Sequence, residues 1–258
     1  MRTDKMGAGV TSLRVEYGIR EARVDLAAAH RLAVMDNLHE GSWNHFSVTV
    51  PGTPEEILLT PGDRHWSQVT ASSLVIANAD AKKIEAQGGF LWVGYRIHYP
   101  IHVARPDAVC VLHTHSPYAT ALSMLEGGRL LMAEQNALNF YDKVAYNDVY
   151  EGQVGGGHTG LSLGEQLAEA LGDKTVLFLK NHGVLVVGPS VAAAYFDLYL
   201  LERACQFQIL AMSTGRKLQL VPDEILKGLH DDDDQQYKIG HFAAMKGVLD
   251  RNQRDYLE

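Results

Sequence analysis

The apolar positions of this 258-residue chain change their period several times, and each change predicts an element. From Ile19 to Leu38, Val24, Leu26, Ala27, Leu32 and Met35 recur at the three-to-four spacing of a helix. HEGSWNHFSVTVPGTPEEILLTPGD instead carries two strand-like runs, Phe46–Val50 and Glu56–Thr60, with PGTP as the turn between them. TASSLVIANADAKKIEAQGG reads as further sheet broken by loops. Tyr95–Ala104 predicts a helix with Pro100 in or near its first turns, where a missing N–H is tolerated. Ala108–Leu112 is a buried strand, and Pro117–Leu125 restarts a helix. Leu161–Leu171 is an amphipathic helix closed by Gly172, LFLKNHGVLVVG is a strand pair bent at His182–Gly183, and Val191–Met212 is the longest predicted helix. The division expected is a loose segment over 1–18 (loosest over 1–12), one domain over 19–220, and a mostly polar helical tail over 221–258 from about Pro222.

Composition narrows the class without naming a chemistry. Hydrophobic residues make up 46% and charged residues 21%, which is enough apolar surface for a sizeable core. The formal net charge of −8 disfavours nucleic acid or an anionic membrane as partner, because such a surface repels phosphate. MRTDKMGAGVTS lacks the apolar core of a signal peptide, and no apolar run approaches the roughly 20 residues that span a bilayer. Cys110 and Cys205 both lie in apolar segments and read as buried free thiols. A cytoplasmic protein is expected. Neither GGRLLMAEQ nor EGQVGGGHTG has phosphate-loop or dinucleotide spacing, and Ser116 and Ser123 lie in no nucleophile elbow.

The candidate chemistry lies in the histidines. His113 and His115 end a buried strand two residues apart, so their side chains share one face and can share one ligand. A second apolar strand, Val176–Leu179, leads to Asn181-His182-Gly183. Three neutral imidazoles with open positions suit a catalytic divalent metal, although structural pairing of the two histidines reads equally well from spacing alone. His98 and His102, spaced i, i+4 on one helical face, are either acid–base groups, a further ligand, or histidines satisfied by backbone carbonyls. His158 in GGGHTG reads as a solvated loop residue.

HTHSPYATALS and KNHGVLVVG, taken with WNHFSVTVPG and LTPGD upstream, resemble the class II aldolase/adducin family from about Glu21 to Leu218. VGYRIHYPIHVARPD and QNALNFYDKVAYNDVYEG resemble its adducin-like bacterial branch. The resemblance implies an α/β fold, a single three-layer α/β/α domain around a central, mainly antiparallel sheet. It also implies a homotetramer with active sites at subunit interfaces, and His113, His115 and His182 as ligands of a divalent ion, zinc first, with manganese, iron or cobalt also compatible.

The chain departs from the sugar-phosphate aldolases that it resembles. Where those enzymes carry a Ser-Ser-Glu-like stretch, with phosphate-holding serines and an acid–base carboxylate, this chain has Trp92-Val93-Gly94. The other phosphate-binding regions correspond to Asn44-His45 and Thr60-Pro61-Gly62, so only part of that pocket survives. The expected substrate is therefore a non-phosphorylated hydroxy-carbonyl or hydroxy-acid, held by Asn44, His45, Trp92 and Tyr118, with an apolar or aromatic moiety against Trp92. Cleavage of a carbon–carbon bond would proceed by metal stabilisation of an enolate, with a proton-transfer group worth about 10²–10⁴-fold. Candidates for that group are His102 and His98 first, then Tyr141, Glu134, Tyr146 and Tyr150. Metal-dependent decarboxylation, Fe(II) oxygenation and a non-catalytic adducin-like assembly role are the competing functions.

Overall fold

The computed structural model describes residues 4–80, 83–85, 88–150, 162–229 and 235–258, with backbone alone for 4–17 and 83–85. His158 and the Asp231–Asp234 run lie outside the described residues. Helix α1 spans Asp4–Met35, so it begins well before Ile19 and, at 32 residues, exceeds the helix expected to be longest. Leu26, Ala27, Ala28, Ala29, Leu32 and Ala33 are all buried, and this small-residue face lets the helix lie close on the sheet. It stops where Asn37 turns left-handed (φ 58°) and the Leu38 N–H returns to the Ala33 carbonyl.

The strands β1 (His45–Val50), β2 (Thr53–Leu59), β3 (Val75–Asn78) and β4 (Lys83–Glu85) form an antiparallel meander. Helix α2 (Trp92–Ala104) crosses to β5 (Cys110–Thr114), followed by α3 (Pro117–Ser123), β6 (Val144–Asn147), α4 (Leu163–Leu171) and the hairpin β7 (Val176–Leu179) and β8 (Gly183–Gly188). Helices α5 (Val191–Met212), α6 (Asp223–Leu226) and α7 (Gln235–Asn252) complete the order. Among the described residues eight strands make one sheet, β4-β3-β2-β1-β5-β8-β7-β6, in which only the β6–β7 pair is parallel. The mainly antiparallel sheet expected from the resemblance is present.

Period-2 alternation sends successive side chains to opposite faces of this sheet and so builds two cores. Phe46, Val48, Cys110, Leu112, Val184 and Val186 face α1, α5 and α7. Val111, Leu185 and Val187 face α2 and α4 on the other side. Helices cover both faces, giving the three layers.

Two expectations change in detail. Pro100 sits deep within α2, not in its first turns. It cannot donate to the Arg96 carbonyl, and α4 packs on that bare stretch: a Cβ at Gly164 would stand inside contact distance of Arg96 O and 2.7 Å from Pro100 Cγ. The polar C-terminal helix buries Phe242 and Leu249 in the α1/α5 core, with Tyr256 just beyond it. Asp255 pairs with Arg31 at 2.7 Å, and the Ser72 N–H donates to the Glu258 carbonyl.

Candidate metal centre

Three elements deliver the three histidines to one end of the sheet. His113 is the fourth residue of β5, His115 follows the strand's last residue, and His182 occupies the β7–β8 turn. That turn explains the Asn-His-Gly sequence. Asn181 takes the left-handed conformation (φ 56°), which asparagine tolerates, and its N–H donates to the Ser123 carbonyl. Gly183 lies so close to β5 that a Cβ there would reach Thr114 O and come within 3.1 Å of the His115 ring.

One nitrogen from each of His113, His115 and His182 falls within 4.8 Å of the others. Two rings have their tautomers fixed from behind. His113 Nδ1 donates to the Val184 carbonyl at 3.0 Å, and His115 Nδ1 donates to the Glu40 carboxylate at 2.6 Å. His113 Nε2 therefore carries a lone pair, and it faces His115 Nε2 at 3.1 Å. Ligation requires both rings to be neutral, and a cation would then be shared by the two facing lone pairs. Tetrahedral zinc with bonds of about 2.0–2.1 Å would set its nitrogens about 3.3 Å apart, so the donor set fits. Burial, then His45, His182 and His115, hold His113 well below the usual histidine pKa; burial and His115 lower His182 to about 4. The Val184 hydrogen bond on His113 and Glu40 near His182 act in the opposite sense and are outweighed, so both rings favour the neutral, ligating form.

The carboxylate–histidine contact from Glu40 and the buttress from Glu202 escaped the sequence reading. Glu202, on α5, accepts from the backbone N–H groups of Tyr118 (2.8 Å) and Ala119 (2.9 Å), pinning the first turn of α3 three residues beyond His115. No motif marks either glutamate. Only the strand register and helix packing bring them there.

The remaining predicted residues divide by position. His45 stands directly opposite His113 across β1–β5, with ring centroids 4.8 Å apart. His98 and His102 face β1 from α2: His98 Nε2 is 2.8 Å from His45 Nδ1, and Ser47 Oγ lies 2.7 Å from both His98 Nδ1 and His102 Nε2. A spacing that could have revealed this was present, His45-x-Ser47 on one strand face and His98-x-x-x-His102 on one helix face. Gly94 is packed against His45, whose Cβ and Cγ would be 3.1 Å from a Cβ at 94. Histidine therefore fills the space beneath Gly94.

Asn44 is fully buried; its Oδ1 accepts from Glu40 N–H at 2.9 Å, and its Nδ2 has no partner among the described residues. Trp92 is 56% exposed at the start of α2, nearly two turns before His98, and Tyr118 packs against the α1/α5 core. Glu134 caps the turn at Ala137–Phe140 by accepting from Asn136 N–H and Ala137 N–H. Tyr141 precedes β6 at the end where Val144 pairs with Val176, roughly 10 Å of strand away from the end that carries His182. Tyr146 stacks on Phe178 and accepts from Leu130 N–H through its hydroxyl, while Tyr150 is exposed.

Comparison with known proteins defines the class. Residues 24–209 match the Class II Aldolase and Adducin N-terminal domain, and the chain belongs to that family. It is 36% identical to a crystallised aldolase II superfamily protein from Pseudomonas syringae, with a TM-score of 0.84 over 93% of this chain and 96% of that one. A protein of Caulobacter vibrioides named for the class 2 aldolases shares 34% identity over 89% of this chain and 85% of its own length. Mouse alpha-adducin is 33% identical over 80% of this chain, which corresponds to only 28% of the adducin. The L-fuculose 1-phosphate aldolase of Glaciozyma antarctica PI12 is similar at 26% identity and a TM-score of 0.77, covering 92% and 93% of the two chains.

Proposed function

We propose that this chain is a metal-dependent carbon–carbon lyase of the aldolase type, acting on a non-phosphorylated hydroxy-carbonyl or hydroxy-acid. The observation that carries the reading is the convergence of His113 and His115, whose Nε2 atoms face each other at 3.1 Å, with His182 beside them. When bound there, a divalent ion, zinc in this reading, supplies Lewis-acid stabilisation of charge developing on a substrate oxygen. The protein's own part is to hold three neutral imidazoles on rigid strand ends and to place His45 beside them. His98 and His102 serve proton transfer only behind His45, because their ring nitrogens are hydrogen-bonded inside the protein.

The substrate class is supported by the hydroxyl-free Trp92-Val93-Gly94 stretch and by an exposed Trp92 suited to an apolar moiety. A homotetramer in the cytoplasm agrees with family membership and with two buried free cysteines. Among the described residues no helix is long and apolar enough to cross a membrane. The likeness to adducin favours one rival, an assembly domain without catalysis.

Elemental analysis of the purified protein beside a His113→Ala/His115→Ala double variant tests the reading, followed by retro-aldol assays of the zinc-loaded protein on hydroxy-acids and sugar phosphates. One ion per chain, lost in the variant, and faster turnover of hydroxy-acids are expected. A protein that takes up no metal after reconstitution would transfer the case to the assembly role. Oxygen consumption by the iron-loaded form, or loss of CO₂ from a carboxylate substrate, would replace the lyase with one of the other enzyme classes.

A further inference from the structure

The buried polar groups between β1 and α2 form one continuous series of hydrogen bonds whose direction is set at one end. His102 Nδ1 lies 2.7 Å from the Ala108 carbonyl oxygen, which can only accept, so the proton is on Nδ1. Burial keeps His102 neutral, its pKa lowered to about 4, so Nε2 is bare and accepts from the Ser47 hydroxyl. The single hydroxyl proton of Ser47 is then used, and its oxygen accepts from His98 Nδ1–H. His98 Nε2 is left bare and accepts from His45 Nδ1–H. The series ends at His45 Nε2, which is bare and makes no hydrogen bond to any described residue, in a side chain that keeps 2% of its surface exposed. It belongs to the ring standing over His113 at the metal centre.

We propose that His45 Nε2 is a dedicated hydrogen-bond acceptor for a hydroxyl of the bound ligand, and that Ser47, His98 and His102 are positioning residues that hold it in that tautomer. The site then selects ligands that offer an O–H at this point over ethers of the same shape. The hydroxyl's identity as a substrate group rests on the lyase reading; the tautomer does not.

The experiment is a long-range ¹H–¹⁵N correlation on ¹⁵N-histidine-labelled, zinc-loaded protein, joined to titrations with glycolate and methoxyacetate, which differ by one methyl on the hydroxyl oxygen. The expected result is Nδ1–H on His45, His98 and His102, with glycolate binding about tenfold more tightly than methoxyacetate. In Ser47→Ala the series is cut, and the preference should fall towards parity. Nε2–H on His45, equal affinities in the unaltered protein, or an undiminished preference in Ser47→Ala (the mark of simple steric exclusion) would each overturn the proposal. No turnover of any hydroxy-carbonyl, with Nδ1–H and the glycolate preference intact, would sink the lyase reading alone. An active lyase with Nε2–H on His45 would sink this inference alone.

Discussion

Glu40 holds His115 from behind: its carboxylate accepts from Nδ1–H at 2.6 Å, so the opposite nitrogen is turned towards His113. The loop that carries Glu40 is itself tied to β1, because Glu40 N–H donates to the Asn44 side chain one residue before His45. Metal-binding histidines commonly need such a partner to fix tautomer and ring orientation.

Replacing Glu40 with alanine frees the His115 ring to take the other tautomer. Zinc affinity is expected to fall about 10–100-fold, with little change in fold because the carboxylate is half exposed. Competition with a chromophoric chelator measures this. Unchanged affinity would mean that Glu40 does not orient the ligand.

Gly183→Ala would drive a Cβ into the Thr114 carbonyl and against His115. Thr114 is held within β5, so the strands must part. A loss of about 3 kcal/mol in stability is expected, at the upper end of overpacking costs, together with weaker zinc binding. Urea unfolding monitored by tryptophan fluorescence reads the first, and a wild-type midpoint would contradict the close approach.

Glu202 reaches the site through α3. Its carboxylate is buried, which raises its pKa, while the N–H groups of Tyr118 and Ala119 act in the opposite sense. Glu202→Ala leaves two buried amides without acceptors, for an expected cost of about 2–4 kcal/mol. Glu202→Gln keeps one acceptor and should recover part of that. If both variants denature like the unaltered protein, the buttress contributes nothing.

Stability should fall as the medium is acidified from pH 6.5 towards 4. His30 and His102 are buried and neutral, each with a pKa lowered to about 4, chiefly by burial. Above pH 6.5 neither state binds the proton and there is no penalty. Below it the unfolded chain takes the protons first, so each group costs roughly 2 kcal/mol by pH 5 and the loss levels off below pH 4. Denaturation midpoints at pH 7.5 and 5 test this in the metal-free protein. Replacing His30 with an apolar residue should flatten part of the slope, and a slope unmoved by that change would assign the acid sensitivity elsewhere.

The hydrophobic pattern by itself determined most of the elements, because burial on one face imposes a period of 2 or about 3.6 that composition cannot disguise. It placed the strand ending at His113-Thr114-His115, the strand pair around His182, and the helix that carries His98 and His102. His113, His115 and His182 stood out for the same reason, each lying at the end of an apolar run, but it was the family resemblance that marked them as candidate metal ligands. Local patterning did not extend to α1, whose first half lies outside the stretch with a clear apolar stripe, or to Pro100, tolerated mid-helix because α4 covers the uncapped carbonyl.

Only the tertiary structure decided which polar groups meet. Glu40 and His115 are 75 residues apart in sequence, Glu202 and Ala119 are 83 apart, and His45 and His98 are 53 apart. Hydrogen bonds of about 3 Å between such partners depend on the register of β1 against β5 and on where α2 and α5 cross the sheet. A shift of one residue in that register would send His45 and Ser47 to the opposite face and leave His98 and His102 without either partner.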